Sequence, residues 1–227
     1  GKEGILGLGY NMGAKKFVVR VELAMRNLVA QLKAKGKPWE HIKTTLSEDE
    51  AWRTVDLYRT TYFNVPKLWE NAHGLLPLIS SGKIGCAWFA PFIKAKQNAL
   101  VLPSGLTIQY PNLRFGWYLD RKANKNREGW HYDAFFKTNV AEPVGIYGGM
   151  VIENICQALA GELCKEAIER AEAMGLECVG QIHDEIMAVV PNGQEKEAVK
   201  ILTAAMEHVP SWLPTIKLKA EVGYGQN

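Results

Sequence analysis

The sequence predicts an α+β fold, in which long helices are combined with short antiparallel hairpins. Apolar residues recur every three or four positions over several segments, which is typical of amphipathic helices. Two pairs of β-rich runs flank short turn sequences, which is typical of hairpins. With 227 residues, 47% of them hydrophobic, the chain is long enough to bury a core in one large domain or two smaller ones.

The first predicted helix covers residues 14–35. Gly36 and Pro38 follow it and are expected to end it, because glycine and proline commonly stop helices at such positions. Its apolar residues fall at three- and four-residue spacing on one face: Phe17, Val18, Val21, Ala24, Met25, Leu28 and Leu32.

Two further helices are predicted before residue 80. Ser47 and Glu50 form a capping-box pattern, in which each side chain bonds the backbone of the other, so a helix is expected over residues 47–62. A third helix is expected over residues 66–76, ending just before Pro77.

The middle of the chain differs in sequence pattern from the predicted helices before it. Residues 99–111, "ALVLPSGLTIQYP", place two β-rich runs around Pro-Ser-Gly and predict a hairpin. Residues 112–139 are basic and aromatic, and we expect them to be irregular. Residues 148–175 then predict a long helix, which Gly175 is expected to end. Its apolar stripe comprises Val151, Ile155, Ala158, Leu159 and Leu163.

Near the end of the chain, "GQIHDEIMAVVP" (180–191) places three titratable residues between two apolar runs. The runs predict two strands of a tight hairpin, with the acidic residues at its turn. A last helix is expected over about residues 194–207. The alternating sequence "IKLKAEV" (216–222) predicts a final strand.

Composition narrows the class of protein. No run of about 18 apolar residues is present, so no membrane span is predicted, and no secretory signal is recognised. The four cysteines form no CxxC pair, which argues against a structural zinc site and suits a cytosolic compartment.

Charge is distributed unevenly along the chain. Residues 1–43 carry nine Lys and Arg against three acidic residues, whereas residues 142–227 carry six Lys and Arg against thirteen acidic residues. The basic N-terminal segment could contact phosphates, or it could be an ordinary solvated surface.

The three titratable residues of this hairpin, His183, Asp184 and Glu185, have two interpretations. Asp184 and Glu185 at one turn could both reach a hard divalent cation such as Mg²⁺, which takes oxygen ligands. Alternatively the trio is an ordinary polar turn, with His183 packed as a neutral imidazole at a strand end. The trio alone does not decide between them.

The N-terminal segment "GKEGILGLGYNMGAKKF" offers a second constellation. Lys2, Leu6 and Tyr10 are spaced by four and would share one face of a helix, where they could hold a phosphate, a sugar and a base. Glycines are unfavourable inside helices, so their number here suggests a close approach to the backbone: Gly4, Gly7, Gly9 and Gly13. An ordinary glycine-rich helix is the alternative, and the phosphate-loop pattern GxxxxGK[ST] is absent.

Together the two constellations resemble the family A DNA polymerases, the DNA polymerase I type, and most closely their bacteriophage members. "KEGILGLGYNMG" is similar to motif B on the O helix of the fingers, and "QIHDEI" to motif C on the palm hairpin. "YGGMVIENICQALA" (147–160) is similar to the helix between them, and "LPSG" (102–105) to a hairpin of the phage members. The resemblance implies an incomplete right-hand fold, with helical fingers over residues 1–140 and a palm portion over residues 141–227 that carries a small antiparallel sheet.

The resemblance implies roles for single residues. Lys2 would contact the phosphates of the incoming nucleotide, Leu6 would lie beside its sugar and Tyr10 near the templating base. Asp184 would be the second metal-binding aspartate and Glu185 its acidic neighbour. The remaining DNA-binding residues, placed near the primer end, would be Gln157, Asn154 and His183.

Three departures from the family pattern stand out. Leu6 occupies a position where the family more often has Phe or Tyr, and Asn11 one where Gly is common after the tyrosine. Motif A, which carries the first catalytic aspartate, should precede motif B and is absent, as is the thumb.

The activity implied is template-directed DNA synthesis, in which a primer 3′-OH attacks the α-phosphate of a dNTP with the help of two Mg²⁺ ions. The isolated chain is expected to be inactive. It would need an N-terminal portion or subunit that carries motif A, and would be either one part of a split polymerase or an excised fragment. Primer–template DNA and dNTP are the expected partners, in the bacterial cytoplasm of a phage-infected host.

Two alternatives come from other classes of protein. One is a non-catalytic nucleic-acid-binding remnant, which the charge asymmetry would support. The other is a metal-dependent hydrolase built on His183, Asp184 and Glu185. It would need further ligands, and the remaining histidines stand in no ligand spacing: His41, His73, His131 and His208.

Overall fold

A computed structural model describes residues 7–83, 85–87, 90–121, 123–135 and 140–225. Helices and β-sheets are both present, in keeping with an α+β fold. The chain divides into two compact units. The first comprises Gly1–Pro91, Ala95–Ala99 and Gln109–Glu153, and the second comprises Phe92–Lys94, Leu100–Ile108 and Asn154–Asn227. The functional boundary expected between residues 140 and 141 stays a prediction.

The first unit contains four helices among the described residues: α1 (Ala14–Ala34), α2 (Glu48–Thr61), α3 (Asn64–His73) and α4 (Leu76–Ser81). The predicted end of α1 is confirmed, since Gly36 follows it with a φ of +63°. The predicted capping box is confirmed too. The Ser47 side chain accepts from the Glu50 backbone, and the Glu50 side chain accepts from the Ser47 backbone.

The single helix expected over residues 66–76 is instead two helices. Pro66 lies in the first turn of α3, and Pro77 lies in the first turn of α4 rather than marking the end of a helix. The first turn of a helix tolerates proline because its backbone N–H groups have no intrahelical acceptor. Both prolines therefore belong to helix starts.

A hydrophobic cluster joins α1 and α2 to the helical turn at residues 7–9. Its buried members are Leu8, Ala14, Phe17, Ala51 and Val55. Leu8 thus anchors the segment that precedes Tyr10 in the core of the first unit.

One sheet contains four strands in chain order: β1 (Gly85–Ala87), β2 (Ala90–Lys96), β3 (Ala99–Val101) and β4 (Thr107–Gln109). The hairpin predicted at residues 99–111 is confirmed as β3 and β4. The Leu102 backbone N–H donates to the Leu106 carbonyl at 2.8 Å, and Gly105 has a φ of +87°. The loop needs glycine there because few other residues adopt that conformation.

The expectation that residues 112–139 are irregular is wrong. They contain β5 (Arg114–Asp120) and β6 (Lys125–Phe135), which pair antiparallel, and β6 also pairs with β7 (Ala141–Gly145). Phe115, Trp117 and Leu119 do alternate along β5, but they are exposed. On the opposite face of β5, Tyr118 stacks on the buried His131 at 4.8 Å between ring centroids. The face of β5 that carries these three large apolar residues is therefore the more exposed one.

The long helix is confirmed as α5 (Gly148–Ala173). Gly175, with a φ of +91°, ends it in a Schellman motif. The Leu176 N–H donates to the Ala171 carbonyl, and the Gly175 N–H donates to the Glu172 carbonyl. The predicted apolar stripe is fully buried at Val151 and Ile155 and partly buried farther along.

The second unit also contains the predicted C-terminal hairpin and helix, as β8 (Glu177–Ile182), β9 (Glu185–Val189) and α6 (Glu195–Met206). One face of the hairpin packs on a cluster of buried residues from α5, α6 and the segment between α5 and β8: Ala171, Leu176, Ala198, Leu202 and Ala205. The other face is exposed and carries Val179, Ile182, Met187 and Val189.

The final strand expected over residues 216–222 is absent, because this segment pairs with no strand among the described residues. The alternation itself is correct. Even-numbered residues from 216 to 222 are half-buried and the odd-numbered ones are exposed. Val222 packs against the second cluster, and the Ala220 N–H donates to the Glu207 carboxylate at 3.1 Å. Side-chain packing thus fixes an extended segment without a β-ladder.

Candidate functional site

The predicted site residues that the structure describes lie in both units. Tyr10 belongs to the first unit, and the second contains Asn154, Gln157, His183, Asp184 and Glu185. Lys2 and Leu6 fall outside the described residues.

Tyr10 lies at the end of a helical turn that closes as a Schellman motif. The Met12 N–H donates to the Gly7 carbonyl at 3.2 Å, and the Asn11 N–H donates to the Leu8 carbonyl at 3.3 Å. Asn11 occupies the left-handed position of the motif, with a φ of +65°. This is the position where helices most often have glycine, and sometimes asparagine.

This geometry explains the departure at Asn11. The glycine that the resemblance leads us to expect and the asparagine found here can both adopt a positive φ, glycine freely and asparagine at a small cost. Either residue is therefore compatible with the left-handed conformation that ends this turn.

Two side chains, Arg59 from α2 and Trp69 from α3, bond the residues on either side of Tyr10, one through a side chain and one through the backbone. The Trp69 indole Nε1 donates to the Gly9 carbonyl at 2.9 Å, which satisfies a carbonyl that the helix end leaves without an intrahelical donor. Arg59 Nη2 donates to Asn11 Oδ1 at 3.0 Å. The Arg59 guanidinium lies 5.9 Å from the centre of the Trp69 ring, within the range of a cation–π interaction.

The start of α5 packs closely on the same turn. A Cβ atom added to Gly148 would lie 1.7 Å from the Trp69 carbonyl oxygen, and one added to Gly149 would lie 2.8 Å from the Asn11 Cβ. Both positions therefore require glycine. The other described glycines of this segment are less crowded: a Cβ added to Gly7 would lie 3.0 Å from the Met12 side chain, one added to Gly9 would make an ordinary contact, and one added to Gly13 would enter open space.

A cavity of about 680 Å³ opens beside this turn in the first unit. Three aromatic side chains line it: Tyr10, Trp52 and Tyr147. Three cationic side chains from α1 line it as well: Lys15, Lys16 and Arg20. Partial burial raises the pKa of Tyr147, and the nearby negative charge of Glu153 adds to the effect, so this phenol stays neutral at physiological pH.

Aromatic and cationic walls together suit a nucleotide, because bases stack on aromatic rings and cations attract phosphates. Sequence analysis singled out Tyr10 among these residues and missed the others. The signals were present in the sequence: "AKK" at the start of a helix, and "YGG" directly before a long helix, where adjacent glycines often indicate close packing.

The second location is the two-residue turn between β8 and β9. Ile182 pairs with Glu185 across the hairpin, so the turn consists of His183 and Asp184. His183 has a φ of +55°, which histidine adopts more often than most residues but at a cost. The Gln181 side-chain amide donates to the His183 carbonyl at 2.9 Å.

The turn presents carboxylates to solvent. Asp184 lies in the turn as predicted, whereas Glu185 is the first residue of β9, on the exposed face of the hairpin. Neither carboxylate has an ion-pair or hydrogen-bond partner within the described part of the chain. The pKa of the Cys164 thiol on α5 is raised, mainly by burial and further by the negative charge of Asp184. Asp184 therefore lies within electrostatic reach of α5.

These carboxylates form no self-contained metal site. Across residues 7–83, 85–87, 90–121, 123–135 and 140–225, no group of three or more His, Cys, Asp or Glu residues is placed to hold a metal ion. The hydrolase hypothesis needs such a cluster around His183 and gains no support. Two exposed carboxylates, however, are a donor set that suits Mg²⁺ when other ligands complete its shell.

Asn154 and Gln157 both lie on α5, three residues apart and therefore on the same side of the helix. Asn154 is half-buried and Gln157 is exposed, so the pair presents amide groups at a solvent-accessible helix face. No described helix has the combination of length and apolarity that crossing a membrane requires.

Comparison with known proteins gives one relevant similarity. The chain is 26% identical over 221 residues to a DNA polymerase of Bacillus phage SP02. The match covers 97% of this chain and 31% of that polymerase, so the chain spans about a third of the length of its relative. No family model matches the chain, and no solved structure matches it. The similarity supports a relationship to phage DNA polymerases.

Proposed function

We propose that the chain performs part of template-directed DNA synthesis, as a family A polymerase portion that comprises the fingers and part of the palm. The observation that carries this proposal is the similarity to a phage DNA polymerase over 97% of the chain. The cavity beside Tyr10 and the exposed carboxylates of the β8–β9 turn supply chemistry that such a function requires.

The cavity would receive a nucleotide of the template strand. Its rings offer stacking surfaces that are largely independent of base identity, and its cations lie on one helix, where they can contact successive phosphates. Tyr10 would pack near the templating base. Lys2 and Leu6, which precede it in the same segment, would face the incoming nucleotide.

Asp184 would hold Mg²⁺, with Glu185 beside it. Bound there, the ion would supply charge stabilisation for phosphoryl transfer. The chain itself provides an exposed carboxylate on a hairpin whose opposite face is packed against α5 and α6. The position of the carboxylate is thus set by a packed sheet rather than by a free loop. Asn154, Gln157 and His183 would contact the DNA near the primer end.

In this proposal a further polypeptide portion supplies the remaining carboxylate, as the resemblance implies; among the described residues no group of three potential ligands surrounds Asp184. The test is to produce the chain alone and together with an N-terminal portion that carries motif A. Extension of a labelled primer in Mg²⁺ is then followed on a gel. We expect extension only from the combination.

Each result of this experiment has one interpretation. Extension that requires both parts supports the proposal. Primer–template binding without extension, under conditions where the two parts form a complex, would indicate the non-catalytic remnant instead. Robust synthesis by the isolated chain would contradict the incomplete site.

A further inference from the structure

The residues on either side of Tyr10 each accept a hydrogen bond from a side chain of another helix. Gly9 accepts from Trp69 and Asn11 accepts from Arg59, at 2.9 and 3.0 Å. The donors lie on different helices, 60 and 48 residues away in sequence. Tertiary hydrogen bonds therefore hold the backbone carbonyl of the residue before Tyr10 and the side chain of the residue after it.

Residue 11 has two separate tasks in this arrangement. It must adopt a positive φ to end the helical turn, and it must offer an acceptor to Arg59. Glycine would perform the first task and not the second. Among common residues, asparagine suits both, because it tolerates the left-handed conformation and carries a side-chain carbonyl.

We infer that Arg59 is a positioning residue, which acts through Asn11 to fix the Tyr10 ring in the cavity. Arg59 lines none of the cavity wall itself. Its guanidinium is half-buried between the Asn11 amide and the Trp69 ring, so movement of Arg59 would release the Asn11 side chain. The consequence for a templating base rests on the proposed function, whereas the effect on Tyr10 does not.

The first measurement tests the effect on Tyr10 alone. The chain is labelled with 3-fluorotyrosine, and the Tyr10 signal, one of eight tyrosines, is assigned by its loss in Tyr10→Phe. Arg59→Met keeps the aliphatic stem and removes the donor, so the Tyr10 ¹⁹F resonance should shift or broaden. Arg53→Met is the control, because Arg53 lies on the same helix and has no partner among the described residues. An unchanged Tyr10 resonance in Arg59→Met would overturn the inference.

The second measurement uses the enzyme assembled with its N-terminal portion. Arg59→Met should lower kcat/KM for the correct dNTP by about tenfold, the loss expected for one hydrogen bond from a charged donor, and should leave the Kd for primer–template unchanged. Asn11→Gly should show a similar loss, and the double variant should be no worse than either single variant. Additive losses, or an Arg59→Met enzyme that matches Arg53→Met, would refute the positioning role.

The two measurements separate the two claims. If the assembled wild-type enzyme makes no DNA, the proposed function fails, and the fluorine signal still decides whether Arg59 positions Tyr10. If the enzyme is active and Arg59→Met shifts the signal without altering kcat/KM, the inference about the site is wrong.

Discussion

The turns at Asn11 and His183 can be compared because each has a non-glycine residue with a positive φ, +65° at Asn11 and +55° at His183. Their surroundings differ. The Asn11 turn is held by Arg59 and Trp69 and is approached closely by the start of α5. The His183 turn is exposed and has one described side-chain hydrogen bond, from Gln181. The first turn is completed by its own unit. The second presents polar groups to solvent.

The two groups of candidate site residues therefore differ in how many contacts with the described residues hold them in place. The cavity beside Tyr10 is built from residues that already have partners in the same unit. The Asp184 and Glu185 carboxylates have no ion-pair or hydrogen-bond partner among the described residues. The larger losses of stability are therefore expected at the first turn, and the larger loss of activity at the second.

The largest expected effect is on activity. Asp184→Ala in the assembled enzyme should lower kcat at least about a thousandfold, equivalent to about 4 kcal/mol in the barrier, because under the proposed function a metal ligand is lost. The melting temperature should hardly change, since the side chain is exposed and has no partner in the described chain. Primer extension under single-turnover conditions measures the first quantity and calorimetry the second.

Glu177→Ala is the matched control for Asp184→Ala. Glu177 is an exposed acidic residue at the far end of the same hairpin, so its loss should leave turnover near the wild-type value. Near-normal turnover in Asp184→Ala would remove Asp184 from the catalytic site.

The next largest effect should be on stability near the first turn. Gly148→Ala places a Cβ 1.7 Å from the Trp69 carbonyl oxygen, and neither backbone can yield easily. We expect a loss of about 3 kcal/mol in the free energy of unfolding. Urea denaturation followed by circular dichroism would measure it.

Gly161→Ala provides a control of opposite sign in the same helix. No protein atom lies within 4 Å of the added Cβ, and alanine favours helix more than glycine by up to about 1 kcal/mol. This variant should therefore be slightly stabilised. Equal changes in the free energy of unfolding for Gly148→Ala and Gly161→Ala would contradict the close packing at the start of α5.

A third pair of variants tests the two turns directly. His183→Val should cost about 1 kcal/mol, because a β-branched residue is strained at a positive φ. Asn11→Val carries the same strain and also leaves the half-buried Arg59 without its acceptor, so we expect about 2 kcal/mol or more. Equal losses in urea denaturation would mean that the Arg59 bond adds nothing.

The smallest expected effect concerns pH. The Lys43 ammonium, followed by hydrogen bonds from Ser47, lowers the pKa of Glu50 to about 2. Because the pKa is lower in the folded state, this carboxylate stabilises the fold above about pH 4.5, and the contribution is lost as pH falls toward 2. Glu50→Gln should flatten the decline of melting temperature over this range, and Glu48→Gln should retain it. A Glu50→Gln profile that parallels the wild type would contradict the assignment.

Local signals predicted much of the secondary structure. The Ser47–Glu50 capping box, Gly36 and Gly175 correctly marked helix ends, because each satisfies backbone groups that are local in sequence. The alternation of Phe115, Trp117 and Leu119 is a strand signal that could have predicted β5, whereas the exposure of these residues could not have been predicted. The predicted strand at residues 216–222 failed because a strand needs a pairing partner, which alternation alone does not supply.

The candidate site was predictable only in part. Tyr10 and Asp184 follow from short motifs, because each lies at a turn that the sequence marks. Arg59 and Trp69 could not be found in this way, since their partners are 48 and 60 residues away in sequence. The spacing between Arg59 and Asn11 has no local signature, and only the packing of α2 and α3 brings the two residues together.

The hydrogen bond between Arg59 and Asn11 has a consequence for how this lineage can change. A relative with glycine after the tyrosine would have no side-chain acceptor there, so arginine at the position of Arg59 would keep only its contact with the tryptophan ring. Where asparagine is present, arginine would serve both contacts. The two positions are therefore expected to covary, whereas the position of Gly148 admits no exchange, since every other amino acid begins with the carbon atom that the packing excludes.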